Sequence, residues 1–467
     1  MDNVTRRYIQ NGAPAAIGSS AGSNYSQNWS KPQNGGGQSL NYYFNDFLIT
    51  RDQKVGDAFY NAQLTFANNH SLQRGIRVFN YYGDPSLNLK GYDDHPGGED
   101  VVIHDGWYQH FAADNADGGD MYVAVITTTL NQPGEVKIYK STDHGESWEL
   151  WNTLSRRNGI YDVDVIVGEW GSGEFVDENV LVFIASVDGT VQVYRYPING
   201  GAAQTVTIAS EGGSISFWGL NAGRNPAPRT YTLYLTYSIL NPSSQTSQTK
   251  VCRSSNNGIS WDGFYSYDGF YFSAVDGGVN NQAYLVAKKF DNTENVYFRR
   301  STDGGLTWGN WMNLTQNDNA YDHGVSEPVV ASSTDPGAPT VWVAYPYYKT
   351  GDRNKGDIRV AYSLNGGVNW TTDQILAEDN ANEFGCHLKS FNAGVSRWMN
   401  CTYIYNPSQP QIIWRWSSGT VAGKWSAMRM VNDNTAQSVP DLQPRIVYSP
   451  GAPSTGSGVV YAGVDKL

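Results

Sequence analysis

The eight residues Ser301-Thr302-Asp303-Gly304-Gly305-Leu306-Thr307-Trp308 constrain the fold more than any other stretch of this chain. An aspartate able to bond its own turn, followed by two glycines free to take positive φ, closes a β-hairpin. Trp308 then opens the next strand with a large apolar side chain. The phrase recurs with Ser141, Asp143, Gly145 and Trp148, again with Ser254, Asn256, Gly258 and Trp261, and again with Ser363, Asn365, Gly367 and Trp370. The first interval is about twice the others, so a degenerate copy is expected near residue 197, where Pro197-Ile198-Asn199-Gly200-Gly201 keeps the Asn and Gly and has lost the Trp. A further degenerate copy spans Ser417 to Trp425. The spacings become 56, 57, 47, 62 and 54 residues, the range of a four-stranded unit with variable loops.

Each unit reads as four short strands. In the fifth they are Val325–Ser332, Thr340–Tyr345, Asp357–Ser363 and Trp370–Leu376, continuously apolar in the inner strands and alternating in the outer ones. A polar turn echoes after the fourth strand, as Asn317-Asp318-Asn319, Glu378-Asp379-Asn380 and Asn432-Asp433-Asn434. Two more strands follow the sixth unit, within Asp441–Val447 and Val459–Val464. The expected fold over residues 101–467 is therefore mainly β, a propeller of six complete blades plus an incomplete seventh. The repeated phrase resembles the Asp-box of sialidases and other BNR-repeat propellers. That resemblance implies a structural turn on the propeller's outer side rather than a catalytic motif.

Composition narrows the function classes. Trp (15) and Tyr (31) are high, Gly is 50 and charged residues are only 16% of 467, the profile of a β-rich, turn-rich globular chain. A formal net charge of −12 with no basic run argues against nucleic-acid or anionic-membrane binding, and no apolar run is long enough to span a bilayer. Three cysteines exclude a disulfide scaffold; Cys386 and Cys401 either pair across neighbouring strands or stay as buried thiols. The profile suits an extracellular or cell-surface protein, although the first residues do not read as a signal peptide.

Residues 1–92 have a different grammar, and residues 93–100 form a linker. Gly12–Ser20 reads as a short strand running into a loop. Val55, Ala58, Phe59, Ala62 and Phe66 mark one helical face, and Arg77–Tyr82 reads as a strand. The Gly12–Ser20 strand, the Val55-Gly56-Asp57-Ala58-Phe59 helix start and the ending Tyr82-Gly83-Asp84-Pro85-Ser86-Leu87 resemble the last part of gingipain-like (C25) cysteine peptidases, which have a caspase-like α/β fold. The resemblance implies that Ser19, Ser20 and Trp29 border a substrate pocket; simple packing is the alternative for Trp29. It also implies a catalytic His and Cys upstream of this stretch. No cysteine precedes Cys252, and the chemistry needs a thiolate beside a base, so no catalytic residue is assigned and the chain itself is expected to be inactive.

In the propeller, the starts of the inner strands and the loops before them carry Asp105, Asp162, Glu211, Asp268, Asp322, His323, Glu327, Glu383, His387, Asp441 and Arg445. Of these, Asp322, His323, Glu327, His387, Asp441 and Arg445 are the channel candidates. They form either a polar or cation-assisted ligand site or a set of solvated turn carboxylates. Asp114-Asn115-Ala116-Asp117-Gly118-Gly119-Asp120 has the flavour of a calcium loop but lacks the closing Glu, so a polar hairpin turn is the competing reading. The sialidase resemblance calls for three arginines on the substrate carboxylate, for which arginine's paired donors are suited. Only Arg445 reads as lying on an inner strand. The leading expectation is thus a fragment of a secreted gingipain-like peptidase whose propeller binds protein or glycan. The alternative is a sialidase-like glycoside hydrolase or glycan-binding propeller.

Overall fold

The computed structural model describes residues 15–19, 42–44, 62 and 79–83 and, from residue 101 on, all but 102, 105–108, 117–119, 144, 146, 173–174, 213–214, 226–231, 292–294, 316–326, 334–338, 349–355, 378–380, 394–395, 407–410, 419–424, 427, 431–443, 449–457 and 462–467. The chain divides into two compact units, Met1–Gly98 and Glu99–Leu467. In the first, Ala15–Ser19 pairs antiparallel with Phe79–Gly83, with Ala15 opposite Gly83. Both strands overlap those read from the sequence. Of the expected helix over 55–69 only Ala62 is described; it is helical and fully buried. Ser20 and Trp29 lie outside the described residues.

The second unit is a six-bladed β-propeller. Its blades are six four-stranded antiparallel sheets, each built from four consecutive strands. Their inner strands are His110–Asn115, Ile160–Ser172, Ser216–Arg224, Phe270–Gly277, Val329–Ser332 and Asn382–Ala393, which begin blades 1 to 6 in order. A two-stranded sheet follows, Arg445–Tyr448 paired with Gly458–Tyr461. Each inner strand packs on the next, and the strand Arg445–Tyr448 packs on the inner strands of both blade 6 and blade 1. The ring is closed in this way.

The patterning follows from position. The second strand of blade 1, Met121–Ile126, is buried at every residue because both its faces meet neighbouring sheets. The outermost strand of blade 3, Asp262–Asp268, alternates strictly between exposed and half-buried residues because only one of its faces is covered. The apolar core is accordingly a series of layers between successive blades.

The repeated turn joins the third and fourth strands of its blade and has one hydrogen-bond pattern. In blade 4 the Ser301 hydroxyl donates to Asp303 Oδ1 at 2.7 Å and accepts the Gly305 N–H at 2.8 Å, while Asp303 Oδ1 accepts the Thr307 N–H at 2.8 Å. Asn365 keeps the two bonds made through Oδ1, which accepts both the Ser363 hydroxyl and the Asn369 N–H at 2.9 Å. Gly305 has φ +83°, and a Cβ there would lie 2.8 Å from the Tyr234 ring of blade 3, so glycine is required twice over. The tryptophans occupy matching places against the preceding sheet. Trp261 meets Phe183 with ring centroids 5.7 Å apart, Trp370 meets Phe298 at 4.6 Å, and Trp425 of the degenerate copy meets Trp342 at 5.5 Å. Trp308 packs with Tyr234, Val251 and Leu285, and Trp148 packs on a cluster that includes Val447 of the two-stranded sheet.

Candidate functional site: the central channel and its mouth

Side chains of the inner strands cap backbone amides of the next strand around the ring. Asp114 Oδ2 accepts Val167 N–H at 2.9 Å, Asp162 Oδ2 accepts Leu220 N–H at 2.8 Å, and Asp164 Oδ2 accepts Ala222 N–H at 2.7 Å. Asn221 Oδ1 accepts Val275 N–H and Asp276 Oδ2 accepts Ser332 N–H, both at 2.8 Å. His387 Nδ1 accepts Ile446 N–H at 3.1 Å. These contacts span blades 1 to 2, 2 to 3, 3 to 4, 4 to 5, and blade 6 to the two-stranded sheet. They place polar groups inside an otherwise apolar ring, where each is tolerable because it is bonded.

The charges are shaped by that burial. Burial works against Asp114, but Arg224 at 3.6 Å and Lys389 at 3.1 Å hold its carboxyl below the usual range. Burial pushes Asp164 up to about 6 against the pull of Arg445, and pushes Asp276 up to about 6 against Lys389. Glu327, just before the inner strand of blade 5, is pushed up to about 7 by burial and by the neighbouring Asp162 carboxylate. His110 Nδ1 lies 2.5 Å from Asp162 Oδ1. Burial first, and then Arg445 and Lys389, hold His387 neutral.

Three of the six channel candidates, Glu327, His387 and Arg445, converge here; Asp322, His323 and Asp441 lie outside the described residues, as does Asp105. The reading of the rim acids as solvated turn carboxylates fails for Asp162 and Glu383, which are buried. Glu211 instead pairs with Lys250 and accepts the Tyr237 hydroxyl. Arg445 is not the lone arginine of the inner strands, because Arg224 lines the same cavity with Lys389. Asp114 belongs to that cavity rather than to a loop, and the Ala116 N–H donates to the Asp120 carbonyl at 2.8 Å to close the hairpin beyond it. Sequence reasoning passed over Asp164, Asn221, Arg224, Asp276 and Lys389. Their signal was a single polar residue inside an apolar strand, as in Val163-Asp164-Val165.

At the strand starts, β-bulges interrupt the pairing of the inner strands: between Ile160 and Asp162, Phe217 and Leu220, Tyr271 and Ser273, and Phe384 and His387. Bulges re-aim side chains, and in blades 2 to 4 the bulged residues are Tyr161, Trp218 and Phe272. Trp218 stacks on Phe272 at 5.3 Å, Phe272 takes the strained φ of +45°, and Phe290 beside Tyr271 is 37% exposed. Gly219 follows Trp218 with φ +87°, and a Cβ there would lie 2.6 Å from Glu327 Oε1. The half-exposed Trp218 ring and the Glu327 carboxylate therefore adjoin one another across Gly219.

No protein-family model and no curated protein matches the chain. Solved structures that resemble it include the Trypanosoma rangeli sialidase in complex with sialic acid, 15% identical over 70% of this chain and 57% of that one, with a TM-score of 0.42. Another is the α-L-arabinofuranosidase of Fusarium graminearum with arabinobiose, 14% identical over 72% and 95%, TM-score 0.41. A third is the fucose-specific lectin from Aleuria aurantia, 12% identical over 71% and 100%, TM-score 0.40.

Proposed function

We propose that the propeller is a glycan-binding module that takes saccharide at the channel mouth. The carrying observation is the Glu327 carboxylate seated against Gly219, beside the Trp218–Phe272 stack. Aromatic faces suit the C–H faces of a sugar ring, and carboxylates fix its hydroxyls. We also read the repeated turns as Asp-boxes and the two-stranded sheet as an incomplete seventh blade. Binding is measured calorimetrically against arabinobiose, fucosides and sialosides. One of these is expected to bind, with Trp218→Ala weakening it by about tenfold and Phe264→Ala, on an exposed outer edge, leaving it unchanged. Equal loss in both variants, or no binding to any of the three classes, would count against the reading.

A second reading, glycoside hydrolysis, draws on the setting of Glu327, whose carboxyl is pushed up to about 7 by burial and by a second carboxylate, Asp162. An acid and a carboxylate flanking a glycosidic bond are what that reaction requires. Turnover of aryl glycosides that vanishes in Glu327→Gln, with binding retained, would favour it. For residues 1–92 the gingipain-like reading rests on the sequence motifs alone. Cys252 and Cys401 are buried on propeller strands with thiols pushed far up by burial, so no thiol-dependent cleavage of peptide reporters is expected from this chain.

A further inference from the structure

Below the mouth, inside the channel, lies a cavity of about 80 Å³ that the glycan reading leaves unused. Its carboxylates are already occupied. Asp114 accepts the Val167 N–H and the Lys389 ammonium, Asp164 accepts the Val165 and Ala222 amides, and Asp276 accepts the Ser332 amide. Its donors are not. Arg445 is only 7% exposed and its buried Nε has no hydrogen-bond partner. His387 uses Nδ1 to accept the Ile446 N–H; a neutral imidazole that accepts at Nδ1 carries its proton on Nε2, which makes that atom a second donor. Lys389 adds positive charge on the same wall. A buried guanidinium N–H without an acceptor, beside a second N–H donor, calls for an acceptor-rich ligand. The space holds several water-sized groups but is far below the roughly 300 Å³ at which pockets for organic ligands begin.

We propose that this cavity binds a small inorganic anion, of chloride to sulfate size, held by Arg445 Nε–H and His387 Nε2–H with Lys389 supplying charge. The anion would tie the inner strand of blade 6, which carries His387 and Lys389, to the strand Arg445–Tyr448 that closes the ring. The proposal is independent of the glycan reading, since it concerns different atoms and a different ligand.

The test is thermal unfolding of the whole chain in sodium chloride and sodium sulfate, each against sodium gluconate at equal ionic strength. An anion at about ten times its Kd is expected to raise Tm by about 1–2 °C over gluconate. Arg445→Met is expected to abolish the difference, and Arg299→Met, an outer-strand control, to keep it. Identical curves in all three salts, or a difference that survives Arg445→Met, overturns the proposal. Should Arg445→Met fail to fold, crystals of the unaltered chain soaked in bromide decide: an anomalous peak among Arg445, His387 and Lys389 supports the site, and peaks confined to the outer surface overturn it.

Discussion

The repeated turns show how little of a conspicuous motif carries its energy. Asp303 is only partly buried; although burial opposes it, hydrogen bonds from Thr307 and Ser301 bring its carboxyl down to about 2. In Asp143 the Ser147 and Ser141 bonds do the same. Solvent screening limits what such a surface group contributes. Ser301 is 1% exposed and both donates and accepts within the turn. Ser301→Ala strands a buried N–H, so it is expected to cost about 1–3 kcal/mol, against about 1 kcal/mol or less for Asp303→Ala. Chemical denaturation of both variants checks the order; a larger loss from Asp303→Ala would refute this account of the turn. Trp308 is only partly buried, so Trp308→Ala is expected to cost less than the 3–5 kcal/mol typical of a fully enclosed ring.

At the scale of the strand, the inner strands are fastened to one another by side chains rather than by ladder hydrogen bonds. Asn221 serves two neighbours: its Oδ1 accepts Val275 N–H at 2.8 Å and its Nδ2 donates to Asp164 at 3.4 Å. Asn221→Leu keeps the volume and leaves the Val275 N–H without its acceptor. We expect about 1–3 kcal/mol of destabilisation, and loss of amide-exchange protection at Val275 ahead of residues elsewhere in blade 4. Uniform loss of protection across the propeller would show that the link is not local. The bulges act at the same scale. One extra residue interrupts the pairing of the inner strand at Tyr161, Trp218 and Phe272 without breaking the sheet.

At the scale of the whole propeller, the channel makes stability depend on pH. Glu327 rises from 4.5 to about 7, and Asp164 and Asp276 rise from 3.8 to about 6. A carboxyl raised in the folded state binds its proton more tightly there than in the unfolded chain. Its contribution is therefore fully present below the unfolded pKa and is lost as pH rises through the folded one. The propeller should unfold at lower temperature at pH 8 than at pH 5, with most of the fall between about pH 4 and pH 7. Glu327→Gln should flatten the upper part of that fall. A Tm that rises from pH 5 to pH 8 in the unaltered chain would contradict the burial assigned to these three groups. Asp143 and Asp303, held at about 2, act in the opposite sense only at lower pH, whereas His387, held neutral, offsets part of the fall below about pH 6.5.

The blade count, the strand order within each blade and the placing of the box tryptophans were legible in the sequence because they are local. A turn of fixed hydrogen bonding and a strand of period 2 are each written within a few consecutive residues. Even the degenerate copies near residues 197 and 417 fall between the third and fourth strands of their blades. Part of the candidate site was legible for the same reason, since Glu327, His387 and Arg445 stand at or just before inner strands. The channel itself was not. Asp114 meets Lys389 across 275 positions of sequence, and the burial that sets Asp164, Asp276 and Glu327 exists only once every inner strand stands in the ring. Whether a carboxylate on such a strand is a solvated turn residue or a buried proton holder depends on which strand lies opposite. Ring closure decides that, and the local pattern does not.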